Sequence, residues 1–426
     1  MPDARSVVIT GMGALCAVGR TPDEMLAALG DGRSGLGPIR GWDASAWPTR
    51  VAAEIPDLDL RKLVKDRKLL KLIRRTDVFG LNAAAQALDA SGLIEWRDAL
   101  PADAMPAVND RIGLYVGSGG SLCEDQYDYF PLISESDNQL SAFGEQLSAT
   151  VNPMWLLRSL PNNVLCHVGI LHGLKGANAC ITNHGVSGML AIFEATEGLR
   201  TGEADRAVAV GHDAPIAPQN VLYYHRMGLF SRDALRPFDA ARNGSLFGEG
   251  AGALVLETRA AASERGAPVI GEVLGGGYAS EATGLAAIRD DGDGVERAIR
   301  DALDDAGLAP NDVGMVVAHG NGTRASDASE AAAFARVFGS SMPPVTGFKW
   351  SFGHLLAAAG AVEAVVALRA LHAGVVPGIA TLDTLDPACA GLTVSRAATR
   401  PRSDVGLVIS RGFGGTTAAL LVRAQR

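Results

Sequence analysis

The chain has 426 residues and a formal net charge of −9; 47% of its residues are hydrophobic, 20% are charged and 51 are glycine. That composition supports a large buried core in a close-packed α/β architecture with tight strand-to-helix turns, and the acidic balance argues against nucleic acid as a partner, since phosphate binding rests on accumulated Lys and Arg. No run of 18 apolar residues and no charged-then-apolar leader occurs, so neither a membrane span nor a signal peptide is expected, and the cytoplasm is the expected compartment.

Hydrophobic periodicity predicts alternating strands and helices, with mainly parallel, buried strands. The first strand is Val7–Thr10, running into a turn at Gly11-Met12-Gly13. A helix over Asp77–Ala90 and strands at Ile112–Val116 and Asn178–Thr182 follow, then a helix over Ser187–Thr201 and strands at Arg206–Val210 and Ala253–Glu257. The remainder predicts a helix over Gly294–Ala306, a strand at Val313–Ala318, a helix over Ser326–Phe338, a strand at Pro344–Phe348 and a helix over Ala357–His372. Strands at Val405–Ser410 and Ala418–Val422 close the chain. No linker or low-complexity tract separates the halves, which predicts one compact body.

Five cysteines, Cys16, Cys123, Cys166, Cys180 and Cys389, are odd in number and lack metal-ligand spacing, so free thiols and no metal are expected. Between residues 61 and 75 stand eight of the 38 basic residues, Arg61, Lys62, Lys65, Arg67, Lys68, Lys71, Arg74 and Arg75, against the single acid Asp66. A basic run of this kind is usually a solvated helix face. On an acidic chain it also creates a local field opposite to the global one.

Several motifs carry a resemblance. Leu174 to Gly188 leads into the helix-like stretch to Arg200, then Gly202-Glu203-Ala204-Asp205 and an apolar strand. Further along come Arg236-Pro237-Phe238-Asp239 with Arg242-Asn243-Gly244, Gly248-Glu249-Gly250-Ala251-Gly252, and His319-Gly320-Asn321-Gly322-Thr323 with Asp327 and Glu330. Lys349-Trp350-Ser351-Phe352-Gly353-His354 and Gly412-Phe413-Gly414-Gly415-Thr416 complete the set. In order and type these motifs resemble those of β-ketoacyl-ACP synthases, the condensing enzymes of fatty-acid and polyketide assembly. Ser245 departs from the pattern, standing where an aromatic is usual.

The resemblance implies a thiolase-type α/β fold, two topologically similar βα halves packed in α-β-α-β-α layers with the site where they meet. The first half is expected over residues 1–257, with an insertion at about 118–171, and the second over 258–426. It also implies a cysteine at the strand-to-helix elbow, within roughly Thr-Ala-Cys-x-Ser-Gly. Counting back from Gly202 and forward from Gly176 without a gap puts that cysteine at Gly185, the alanine at His184 and the threonine at Asn183. The condensing nucleophile is absent.

By motif match, His319 and His354 are the pair that hydrogen-bonds the thioester oxygen, and Lys349 orients them, with Glu330 as ion partner. Phe413 and Gly414 match the gate over the pocket, and Thr323 lies beside it. Cys180 is expected on a buried strand well over ten ångströms from the elbow, at roughly 3.3 Å of rise per residue, too far to replace the thiol. His184 is nearer, but acyl-imidazoles hydrolyse readily and a neighbour on a sharp turn is expected to point elsewhere. No dinucleotide site is expected, because no Gly-x-Gly here is followed by a ribose-binding acid.

No bound cofactor is expected; the substrate thioester implied by the resemblance is carried on the phosphopantetheine of an acyl carrier protein, with the basic residues 61–75 receiving the acidic carrier. Three functions stay open. One is a non-condensing partner subunit, similar to polyketide chain-length factors, paired as a heterodimer with an active ketosynthase; the kept histidines count against it. Another is a malonyl-ACP decarboxylase or other altered acyl-thioester enzyme using His319 and His354; the glycine, which supplies no side chain, counts against that, and the pairing stays open between a heterodimer and a homodimer. A carrier-binding scaffold without chemistry is the third.

Overall fold

The computed structural model describes residues 6–56, 58–64, 67–120 and 126–425, so Lys65 of the basic cluster and Cys123 lie outside the described residues. Ten strands carry the architecture. In the first half they are β1 (Val7–Cys16), β2 (Ile112–Ser118), β3 (Asn178–Ile181), β4 (Arg206–Asp213) and β5 (Gly250–Thr258). In the second they are β6 (Gly271–Ser280), β7 (Met315–Val317), β8 (Pro344–Thr346), β9 (Val405–Arg411) and β10 (Thr416–Ala424). The order across the sheet is β8-β7-β9-β10-β6-β1-β5-β4-β2-β3, with the short strand Thr393–Val394 beyond β8. The order β3-β2-β4-β5-β1 therefore recurs in the second half as β8-β7-β9-β10-β6. Antiparallel pairing of Val7–Ile9 with Gly271–Val273 joins the two into one continuous sheet.

Each half is mixed rather than mainly parallel. β3, β2 and β4 run parallel, whereas β4–β5 and β5–β1 are antiparallel, and the second half repeats this. Periodicity reports how a strand is buried, not which way its neighbour runs, so the sequence expectation failed here. β3 is also an edge strand, half exposed rather than buried.

Five long helices form the layers: α1 (Arg75–Ser91), α2 (Ser187–Arg200), α3 (Asp293–Ala306), α4 (Arg324–Phe338) and α5 (Ala359–His372). α1 packs on β1, β4 and β5, and α3 on β6 and β10. Between the two half-sheets α2 lies on β2 and β4, while α5 lies on β5, β9 and β10 and against α2. The layers are thus α-β-α-β-α. The central helices approach closely because their crossing is glycine: a Cβ on Gly360 would lie 2.8 Å from Met189 Cβ, and one on Gly188 2.6 Å from the Ala357 carbonyl oxygen. The close packing brings together the N-terminal ends of both helices, and with them the segments that precede them.

β1 is longer than expected and β6 was not expected at all, for one reason. Gly13 resembles a turn residue, yet a Cβ there would lie 2.5 Å from Gln86 Cβ on α1; one on Gly275 would lie 2.7 Å from the Ala302 carbonyl on α3. These glycines let a helix backbone lie directly on a strand. They serve corresponding strands of the two halves.

Within residues 118–171 the described residues form short helices, Gln126–Glu135, Leu140–Thr150 and Trp155–Ser159, followed by Asn163–His172. Leu140 is 84% exposed and Ile170 75%, with Leu156, Leu157 and Leu171 exposed as well. No helix of the described residues is long and apolar enough to cross a membrane, and no group of metal-ligating side chains is found among them.

Candidate active site

The elbow lies between β3 and α2. Ser187 Oγ accepts from the Asn183 N–H at 2.8 Å and donates to the His184 carbonyl at 2.8 Å, closing the turn. His184 adopts φ +49°, the left-handed region that few non-glycine residues enter. Asn183 is exposed, and Gly185 is buried. A Cβ built on Gly185 would collide with the Arg411 carbonyl oxygen at the end of β9. The Gly185 carbonyl in turn accepts from Ser410 Oγ at 2.8 Å. Backbone from the second half therefore fills the place a side chain at 185 would need.

The His184 ring does not point elsewhere, contrary to the expectation from the turn. It lines the same cavity as His319 and His354, of ≈ 80 Å³, together with Tyr224, Thr323, Arg411 and Phe413. Its Nε2 is hydrogen-bonded to Tyr224 Oη, and its ring stacks on Phe413 with centroids 4.4 Å apart and planes 23° apart. Among the described residues no cysteine lines this cavity. Cys180, on the edge strand, donates to the Pro161 carbonyl, and burial pushes its thiol up to about 11.

His319 follows β7. Its backbone N–H and that of Gly320 donate to the Glu330 carboxylate on α4, at 2.7 and 2.9 Å. The Arg411 N–H donates to His319 Nδ1, and the Leu356 N–H donates to His354 Nδ1, each at 3.2 Å. With Nδ1 accepting in both rings, the proton of each neutral imidazole sits on Nε2. Burial, then the charge of Lys349, holds both well below the usual imidazole value. The rings stand 5.0 Å apart at 79°. They form a pair of neutral N–H donors, suited to a thioester oxygen on which negative charge develops.

Lys349 is wholly buried, and Glu330 is not its ion partner as expected. Its Nζ donates to Glu363 Oε1 on α5 at 2.6 Å and to the His319 carbonyl at 2.7 Å, because the Glu330 carboxylate is taken up by backbone N–H groups. Burial, offset by Lys349, pushes Glu363 up to about 7. Asp327 accepts from the Phe238 and Gly322 N–H groups and pairs with Arg242 at 3.4 Å, tying the Arg-Pro-Phe-Asp motif to the His319 box.

Gly414 has φ +76° in the gate turn, and its N–H donates to the Leu285 carbonyl at 2.6 Å; Thr323 Oγ1 donates to Asn321 Oδ1 at 2.8 Å. Arg411, at the base of the gate, donates to Glu281 at 2.7 Å and to Ser326. Sequence reasoning missed Tyr224, Arg411 and Glu363. Only Glu363 left a signal, the single acid of its helix, set in the apolar run before Arg369.

The basic cluster divides. Arg61, Lys62, Arg67, Lys68 and Lys71 are exposed. Arg74 is buried beside Asp77, and Arg75 is bound to Glu249, with Nε 2.9 Å from Oε2, and lies over the Phe79 ring. Arg74 is thus enclosed in the fold, whereas the Arg75 side chain, paired with Glu249, keeps 36% of its surface in solvent beside the exposed run.

Burial holds His184 down to about 4. Between the ordinary value near 6.5 and about 4 the unfolded chain takes up a proton that the folded chain does not, so this group lowers stability as pH falls through that window and has no effect above it. Relative to His184→Gln, the wild-type chain should lose denaturant stability from pH 6.5 to 4 and match its own offset above pH 7, as urea titrations at several pH values will show.

Comparison with known proteins agrees with this geometry. The β-ketoacyl synthase N-terminal domain matches residues 4–262 and the C-terminal domain residues 270–383. A 3-oxoacyl-[acyl-carrier-protein] synthase 2 of Coxiella burnetii is 31% identical over 99% of both chains, and a nodulation protein E of a Rhizobium species is 33% identical over 98% of this chain and 99% of its own. The solved ishigamide ketosynthase/chain length factor superposes with a TM-score of 0.87 at 28% identity, covering 99% of this chain and 100% of its own. With its thiolase-type fold, histidine pair and buried lysine, the chain belongs to the β-ketoacyl synthase family.

Proposed function

We propose that this chain is a non-condensing, ketosynthase-like subunit of a cytoplasmic fatty-acid or polyketide assembly system, acting as a chain-length-factor-like partner of an active β-ketoacyl-ACP synthase. One observation carries the reading: at the elbow, where residues 1–257 meet 258–426, Gly185 offers no side chain and the Arg411 carbonyl occupies the space. Condensation of this type needs a thiolate that takes the acyl group before malonyl decarboxylation supplies the attacking carbanion. Without it, no acyl chain is held here for extension.

A partner is supported by β3, an edge strand among the described residues and so a position where a further strand could pair, and by the exposed Leu156, Leu157, Ile170 and Leu171 nearby in the chain. The likeness to a solved ketosynthase/chain length factor points the same way. A second reading, malonyl-ACP decarboxylase, is favoured by the His319–His354 pair, which keeps its two donors. Co-expression with a cysteine-bearing ketosynthase tests the first: a one-to-one heterodimer and chain elongation that stops when this chain is omitted are expected. Carbon dioxide release from malonyl-ACP by this chain alone, lost in His319→Ala, would move the conclusion to the second.

The acyl carrier protein is proposed to dock on the exposed basic face of residues 61–71. Reversing Arg67 and Lys71 to glutamate together should weaken carrier binding roughly tenfold at low ionic strength, with the difference shrinking as salt rises. Titration of labelled carrier at two salt concentrations checks it.

A further inference from the structure

His184 is held more tightly than a space-filler needs to be. Its ring is fixed on one side by the Tyr224 hydroxyl and on the other by the face of Phe413. Tyr224 is held in turn, edge-on to Phe247 at 4.6 Å and stacked with Phe230 at 5.7 Å. Phe413 sits between Gly412 and Gly414, in a turn whose Gly414 and Gly415 both have positive φ, a backbone free to swing when nothing pins it. Hydrogen bonds from the Gly412 and Gly414 N–H groups to the Thr416 and Leu285 carbonyls hold this backbone, and the ring stack adds the hold on the Phe413 side chain itself. The cavity that remains, ≈ 80 Å³, has room for a few non-hydrogen atoms beside His319 and His354.

We propose that His184 is a specificity-determining residue that limits the length of acyl group the cavity accepts. By clamping Phe413 against Tyr224 it confines the site to the short end of a thioester, an acetyl- or malonyl-sized group, and excludes longer aliphatic chains. No bond is made to the imidazole, which acts by volume and by holding the gate. The left-handed backbone at 184 aims the ring into the cavity, whereas a side chain at 185 would run into the Arg411 carbonyl. This rests on the second reading above, in which the His319–His354 pair receives the acyl end of a malonyl thioester without a covalent bond to the chain.

The test compares binding of malonyl-pantetheine and octanoyl-pantetheine, by calorimetry, to the full-length wild-type chain and to His184→Ala. His184→Gly serves as a second variant that relieves the backbone strain should the first fold poorly. The expected result is a fall of at least tenfold in the ratio of octanoyl to malonyl Kd on removing the ring, with malonyl Kd changed less than threefold. Tyr224→Phe, which keeps the ring but loses the hydrogen bond, should give an intermediate ratio. An unchanged ratio with malonyl binding intact overturns the role of His184 alone, and absence of binding by either thioester to every protein overturns the underlying reading with it.

Discussion

Replacing Lys349 with methionine should destabilise the protein by about 3–5 kcal/mol, the usual cost of leaving one member of a buried ion pair without its partner. Lys349 and Glu363 are both wholly buried, and their contact of 2.6 Å is reinforced by the bond from Nζ to the His319 carbonyl. Loss of the ammonium leaves the Glu363 carboxylate in an apolar helix layer, and it also frees the peptide that carries His319. The double variant Lys349→Met, Glu363→Leu should recover most of the loss, because it removes both charges from the core. Urea denaturation of the two single variants and the double one gives the coupling directly. Additive losses would show that the pair is not the unit described.

Gly185→Cys should not create a condensing enzyme. The expected outcome is no transfer of an acyl group to position 185 from an acyl thioester, and destabilisation of about 1–3 kcal/mol, the range for forcing atoms into a packed site. The reason is geometric: the obstacle is the Arg411 carbonyl, part of the sheet through β9 and fixed by the Arg411 N–H bond to His319. Backbone cannot rotate away as a side chain can. A variant that kept full stability and accepted acyl groups would show that the space had been open. Peptide mass spectrometry after incubation, with a thermal melt of the same sample, separates the outcomes.

Much of the fold was legible, because buried strands and amphipathic helices leave periodic patterns, and because the motifs fall at turns that must carry glycine or histidine. What was not legible has two physical origins. Gly275 lies in a strand but reads as loop, since its reason, the backbone of α3 at Ala302, is far away in sequence. Through-space pairing is equally invisible: Lys349 finds Glu363 rather than Glu330, Arg74 turns inward beside Asp77, and the half-exposed Arg75 pairs with Glu249, while the other described cations of the basic run stay in solvent. At the elbow, Gly185 could be read at the position the motif count reaches, but neither the closure of the space beside it by Arg411 nor the direction of the His184 ring could be, since both depend on the second half of the chain.

The most direct measurement is the intact mass of the purified wild-type chain after incubation with an excess of acyl-carrier thioester. On the proposed non-condensing reading an unchanged mass is the expected result, since among the described residues no cysteine lines the cavity that holds the histidine pair. A shift by one acyl group, mapped to residues 178–188, would contradict the account.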